Sequence, residues 1–96
     1  MESPEGDITR AIAPMKSAGM GHFFLMSNRN KRCIVLDLKS EAGRKAYLKL
    51  AEGVDAIVCS VRTAAMARLG LGYEECKAVN PNLVYMELVG FGQAGP

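Results

Sequence analysis

The stretch CIVLDLKSEAGRKAYLKLAEGVDAIVCS, residues 33–60, carries the reading of the fold. It opens on Cys33, Ile34, Val35 and Leu36, a continuous apolar and β-branched run that fits a buried strand. Ser40 follows as a helix N-cap, because its side-chain oxygen accepts from a free backbone N–H of the first turn. Ala46, Tyr47, Leu50 and Ala51 then recur on one helical face, while Glu41, Arg44, Lys45, Lys49 and Glu52 cover the other. The spacing predicts a helix over 41–52, supported by Glu41 and Lys45 in the favourable i,i+4 order and stopped at Gly53. Residues 54–59, VDAIVC, return to an apolar run and read as a second strand.

Working outward, residues 63–69 are rich in Ala, Met and Arg and end at Gly70, which predicts a helix. A further short helix is expected over 73–79, broken by Asn80 and Pro81. Residues 83–89, LVYMELV, read as a third strand. Upstream, residues 22–28 (HFFLMSN) form a short apolar segment, helical or extended, and residues 1–21 carry Pro4, Gly6, Pro14, Gly19 and Gly21, which predicts an irregular front. Apolar strands separated by helical crossovers give an α/β fold: a parallel sheet, βαβαβ, with helices against its faces.

Composition narrows the function classes. The 96 residues make room for one domain, and 49% hydrophobic with 23% charged residues excludes intrinsic disorder. A net charge of +2, 6% aromatics and no Trp supply neither the basic footprint nor the stacking platform of a nucleic-acid binder. Cys33, Cys59 and Cys76 form no close pair, which argues against a disulfide framework and a zinc site and for free thiols in a reducing compartment; Cys33 and Cys59 are expected to be buried. No apolar run reaches the ~18–20 residues of a membrane span, and the polar, acidic first ten residues do not read as a signal peptide, so the expected location is cytoplasmic.

Several motifs carry chemistry at face value. Residues 90–95, GFGQAG, match GxGxxG after a predicted strand, yet the dinucleotide fingerprint needs a helix and an acidic residue ~20 positions further on; a plain turn after a strand is the simpler reading. Arg29, Lys31 and Arg32 place three cations within four residues, either a solvated turn or an attractor of a polyanionic ligand. Leu36, Asp37, Leu38 and Lys39 lie at the carboxyl end of the first predicted strand, where open α/β sheets bind ligands. Arg62 and Arg68 lie beyond the second. His22 is the only histidine, and no partner stands at a catalytic spacing from it.

Four segments read together resemble the family III CoA-transferases of the CaiB/BaiF type. They are residues 28–40 (NRNKRCIVLDLKS), 43–58 (GRKAYLKLAEGVDAIV), 67–85 (ARLGLGYEECKAVNPNLVY) and 90–96 (GFGQAGP); residues 2–7, ESPEGD, also resemble the family. The resemblance covers nearly the whole chain, in order. It implies a Rossmann-like large domain, of which residues 1–96 would be a part, and an interlocked homodimer.

It also implies an acyl-CoA:carboxylate CoA-transferase, in which an aspartate attacks the acyl-CoA thioester to give a mixed anhydride and then an aspartyl-CoA thioester. Partners would then be acyl-CoA and carboxylate substrates, with no nucleic acid, membrane or metal. The implied coenzyme A contacts are Leu36, Asp37, Leu38 and Lys39, then Ser60, Val61 and Arg62, then Arg68, Val89 and Gly90. Where family members carry Asn and an Arg-Pro-Gly-like turn, this chain has Ser60, Val61, Arg62, Thr63 and Ala64. The family's catalytic aspartate is expected beyond Pro96, and neither Asp37 nor Asp55 occupies its place, so residues 1–96 alone are expected to be inactive. The other readings are a 2-methylacyl-CoA racemase of the same superfamily, a small nucleotide- or NAD-binding module without catalysis, and a truncated piece without independent function.

Overall fold

The computed structural model describes residues 1–92 and divides into two compact units, Met1–Asp37 and Leu38–Pro96. The glycine motif's last residues, 93–96, lie outside the described residues.

In the first unit, Asp7 caps a 3-10 helix, Ile8–Ala11, by accepting from the Thr9 N–H at 2.7 Å. The front that reads as irregular therefore carries one turn of regular structure. The segment HFFLMSN resolves as helix α1, His22–Ser27, with only Phe24 buried. Glu2 organises this unit. Its backbone bridges Val35 in parallel, donating to the Ile34 carbonyl at 2.9 Å and accepting from the Leu36 N–H at 3.0 Å.

The Glu2 side chain is buried and fully engaged. Arg10 clamps it with Nε on Oε2 and Nη2 on Oε1, both at 2.7 Å, while the Asp7 N–H donates to Oε2 at 3.1 Å and the Cys33 thiol to Oε1 at 2.9 Å. The Arg10 guanidinium also lies 3.8 Å over the Phe24 ring. A carboxylate is kept away from water only when charge and hydrogen bonds replace its hydration, and here four donors do so.

The Arg10 guanidinium, and next the Cys33 thiol, hold the Glu2 carboxyl at about 2, against an ordinary 4.5. The same carboxylate pushes the Cys33 thiol up. A depressed carboxyl pKa stabilises the folded form above the unfolded value, so this contribution is present above pH 4.5 and is lost as pH falls toward 2. NMR titration is expected to show the Arg10–Glu2 clamp intact at pH 5 and released only well below pH 4. A Glu2 midpoint at its ordinary value would remove the clamp from the account.

Two expectations are corrected here. Residues 33–36 form no strand of a sheet; among the described residues Val35 makes only the isolated bridge to Glu2. Cys33 is exposed rather than buried, as are Ile34 and Val35. An apolar β-branched run favours extended backbone, but its partner is a tertiary matter, and the nearest backbone here is that of Glu2.

The second unit contains α2 (Glu41–Ala51), β1 (Ala56–Cys59), α3 (Thr63–Leu69), α4 (Tyr73–Val79) and β2 (Val84–Glu87). Ser40 caps α2 by accepting from the Gly43 N–H at 3.0 Å. Lys45 pairs with Glu41 at 2.6 Å, an exposed contact that adds little. β1 and β2 pair in parallel, Ala56 with Val84 through Cys59 with Glu87, so the α/β class holds with two strands in the sheet. A parallel pair requires a crossover, and α3 with α4 supplies it.

The core gathers Ala51, Cys59, Met66, Leu71, Cys76 and Leu83, with Tyr47 at its margin. One sheet face, with Cys59 and the half-buried Ile57 and Tyr85, turns toward this core; Val58, Val84 and Met86 face outward and are exposed. The Asn80 amide ties the far ends of the layers, donating to the carbonyls of Ala51 at 3.0 Å and Val54 at 2.8 Å. Among the described residues, no helix is long and apolar enough to cross a membrane.

Candidate functional site at the carboxyl edge of the sheet

Parallel register decides what lies side by side. Cys59 pairs with Glu87, so both strands end together, and the Leu88 N–H donates to the Cys59 carbonyl at 2.8 Å. Ser60, Val61 and Arg62 leave one strand where Leu88, Val89 and Gly90 leave the other. All six are exposed.

Arg62 is also the N-cap residue of α3, with φ −54° and ψ 131°, and its carbonyl accepts from Ala65 and Met66 at 2.8 and 3.2 Å. The chain thus turns from β1 into a helix without the proline and glycine of the family-like turn. Arg62 makes no ion pair among the described residues.

The other predicted contacts are distributed differently. Arg68 sits in the last turn of α3, so nearly the helix's length separates it from Arg62. Leu38 and Lys39 lead into α2, where the Lys39 carbonyl accepts from Arg44 Nη1 at 2.8 Å. Leu36 and Asp37 close the first unit, so the predicted contact stretch 36–39 is divided between the two. The parallel register therefore brings Ser60, Val61, Arg62, Val89 and Gly90 to one edge, with Arg68 nearly a helix's length from Arg62.

Glu87 ends β2 at this edge, opposite Cys59, whereas Asp55 does not stand here. Asp55 precedes β1 and its carbonyl accepts from the Val84 N–H at 3.0 Å, which places it at the opposite, amino edge. An open cleft of about 420 Å³ lies there too, lined by Glu52, Gly53, Val54, Asp55, Asn80, Asn82 and Val84, none of them a predicted contact. Among the described residues, no cluster of His, Cys, Asp and Glu is arranged to hold a metal ion.

Sequence reasoning missed Cys59 and Leu88. Cys59 carries the bond that joins the two strand ends, and its thiol donates to the Val61 carbonyl at 3.7 Å. No sequence signal marks such a role, because a buried cysteine in a strand looks the same whatever its thiol touches.

Comparison with known proteins gives the edge a context. The chain is 40% identical over 91 residues to an acetyl-CoA:oxalate CoA-transferase of Acetobacter aceti, covering 95% of this chain and 23% of that protein. It is 36% identical over 100 residues to a cinnamoyl-CoA:phenyllactate CoA-transferase of Clostridium sporogenes, covering 100% of this chain and 24% of that protein. A crystal structure of a CaiB/BaiF family protein from Brucella suis matches 99% of this chain and 26% of its own, at 37% identity and a TM-score of 0.90. The chain spans about a quarter of the length of the relatives it matches. The family model for CoA-transferase family III matches residues 1–96, and the chain belongs to that family.

Proposed function

We propose that this chain supplies part of the coenzyme A site of an acyl-CoA:carboxylate CoA-transferase. The observation that carries the reading is the carboxyl edge, where parallel register places Ser60, Val61 and Arg62 beside Val89 and Gly90, with the Arg62 guanidinium unpaired among the described residues. Beyond the carboxyl ends of the strands is where α/β sheets receive ligands. Exposed backbone at the strand ends suits the amide-rich pantetheine arm, and cations suit the phosphates. Leu36, Asp37, Leu38, Lys39 and Arg68 complete the proposed contact set. The relatives named above support acyl-CoA and a carboxylate as the two substrates, and an interlocked homodimer is part of the same proposal.

Asp55 stands at the wrong edge to attack a thioester held beside residues 60–62. The attacking aspartate of the transfer step is accordingly proposed to lie outside these 96 residues. Incubating residues 1–96 with an acyl-CoA panel and hydroxylamine is expected to trap no enzyme-bound thioester. A stoichiometric adduct on any residue here would overturn that assignment.

Replacing one phosphate contact, in Arg62→Ala, Arg68→Ala or Lys39→Ala, is expected to weaken coenzyme A binding by about 1.5–3 kcal/mol, the range for hydrogen bonds to charged groups. Calorimetric titration with coenzyme A measures it. Affinities equal to the parent in all three variants would sink the coenzyme A reading of this edge.

A further inference from the structure

We propose that Cys59 is a positioning residue whose thiol and carbonyl together hold the 60–62 loop against the end of β2, shaping the edge that receives coenzyme A. This rests on the coenzyme A reading above.

Cys59 is the last residue of β1 and is 7% exposed. Two contacts leave it in different directions. Its Sγ donates to the Val61 carbonyl at 3.7 Å, and its own carbonyl accepts from the Leu88 N–H at 2.8 Å. One residue therefore fastens both segments of the edge, the first through its side chain and the second through its backbone.

Among the described residues, the 60–62 loop has little other anchorage. Ser60, Val61 and Arg62 are all exposed, Val61 at 46%, so side-chain burial does not fix them. Beyond the thiol contact, the loop is tied by the Arg62 carbonyl to the first amides of α3, those of Ala65 and Met66. The Cys59 side chain is buried, on the same sheet face as Tyr85, its diagonal neighbour across the strand pair. A buried donor at a strand end and the carbonyl of an exposed loop residue give a tether between them. The thiol acts here by position rather than by reactivity.

The test combines amide hydrogen exchange with coenzyme A titration on the parent, Cys59→Ala, Cys59→Ser and Cys59→Val. A weak thiol hydrogen bond implies that Cys59→Ala speeds exchange at Ala65 and Met66 about two- to five-fold and raises the Kd for coenzyme A by a similar factor. The Arg44 amide, bonded to the Ser40 carbonyl within α2, is the internal reference and is expected to be unchanged. Cys59→Ser keeps a donor and is expected to restore both readouts, while Cys59→Val fills the space without one and is expected to stay as fast as alanine; a valine variant that restores both overturns the tether. Unchanged exchange at Ala65 and Met66 in Cys59→Ala, or a serine variant as fast as the alanine one, overturns the tether. A parent that takes up no coenzyme A overturns the reading of the edge instead, while the exchange measurement still decides whether Cys59 holds the loop. A variant that loses protection at Arg44 has unfolded, and the comparison then passes to Cys59→Ser against the parent.

Discussion

Replacing Leu71 by alanine is expected to destabilise the second unit by about 2–5 kcal/mol, the range measured for burying a cavity in place of a leucine side chain. Leu71 is fully buried, with 0% of its surface exposed. It reaches the core through a helix end built for the purpose. Gly70 caps α3 in the left-handed region at φ 69°, its N–H donating to the Ala67 carbonyl, and the Leu71 N–H reaches back to Met66 at 3.0 Å. The following residue is thereby turned inward, alongside the buried Met66 and Cys76. Backbone on both sides is hydrogen-bonded, so the site has little freedom to collapse onto the missing methyls, and a cost in the upper half of the range is expected. Native stabilities are about 5–15 kcal/mol, so the loss removes a large share of what holds the fold. Urea unfolding followed by far-UV circular dichroism measures it. A change within about 0.5 kcal/mol, the scatter of ordinary surface substitutions, would show that Leu71 is not part of the core.

Gly21→Ala is expected to cost about 3 kcal/mol or more, and to do so in the first unit. Gly21 has φ −60°, a conformation open to any residue, so space alone is at issue. A Cβ there would meet the carbonyl oxygens of Thr9, Ile12 at 2.7 Å and Arg10 at 3.0 Å. All three are backbone atoms of the 3-10 helix and its C-cap, which cannot swing aside as a long side chain would. The Gly21 N–H also donates to the Arg10 carbonyl at 3.0 Å, so relieving the clash pulls directly on the residue that clamps Glu2. Loss of the Arg10–Glu2 signature by NMR is the expected pattern. Gly53→Ala is the control: a Cβ there meets nothing within 4 Å, and its φ is not positive. A Gly21→Ala variant as stable as that control would show that the front of the chain is not packed as described.

Helices were the legible part of this protein. Residues 63–69 and 73–79 coincide with α3 and α4, and α2 begins at the predicted cap and ends one residue before the predicted 52. Capping, periodicity and glycine stops are local signals, completed within a few residues of where they are written. The strands were legible as segments but not as partners. Residues 54–59 and 83–89 narrowed to Ala56–Cys59 and Val84–Glu87, while residues 33–36, with equal apolar content, paired with Glu2 instead. Strand pairing joins residues far apart in sequence, and composition does not say which backbone will arrive.

The same division runs through the candidate site. Sequence by itself determined the α/β class, the positions of α2, α3 and α4 and, through ordered resemblance along nearly the whole chain, membership of CoA-transferase family III. It did not determine which of the predicted contacts stand together. That was decided by the parallel register of Cys59 with Glu87, which gathers Ser60, Val61, Arg62, Val89 and Gly90 at one edge and leaves Arg68 at the far end of α3. Tertiary structure alone also buried Glu2 under Arg10 and gave Cys59 its two hydrogen bonds. The physical reason is common to all of these. A side chain's chemistry is written in its identity, but its partner is set by which distant backbone the fold brings within 3–4 Å, the reach of a hydrogen bond.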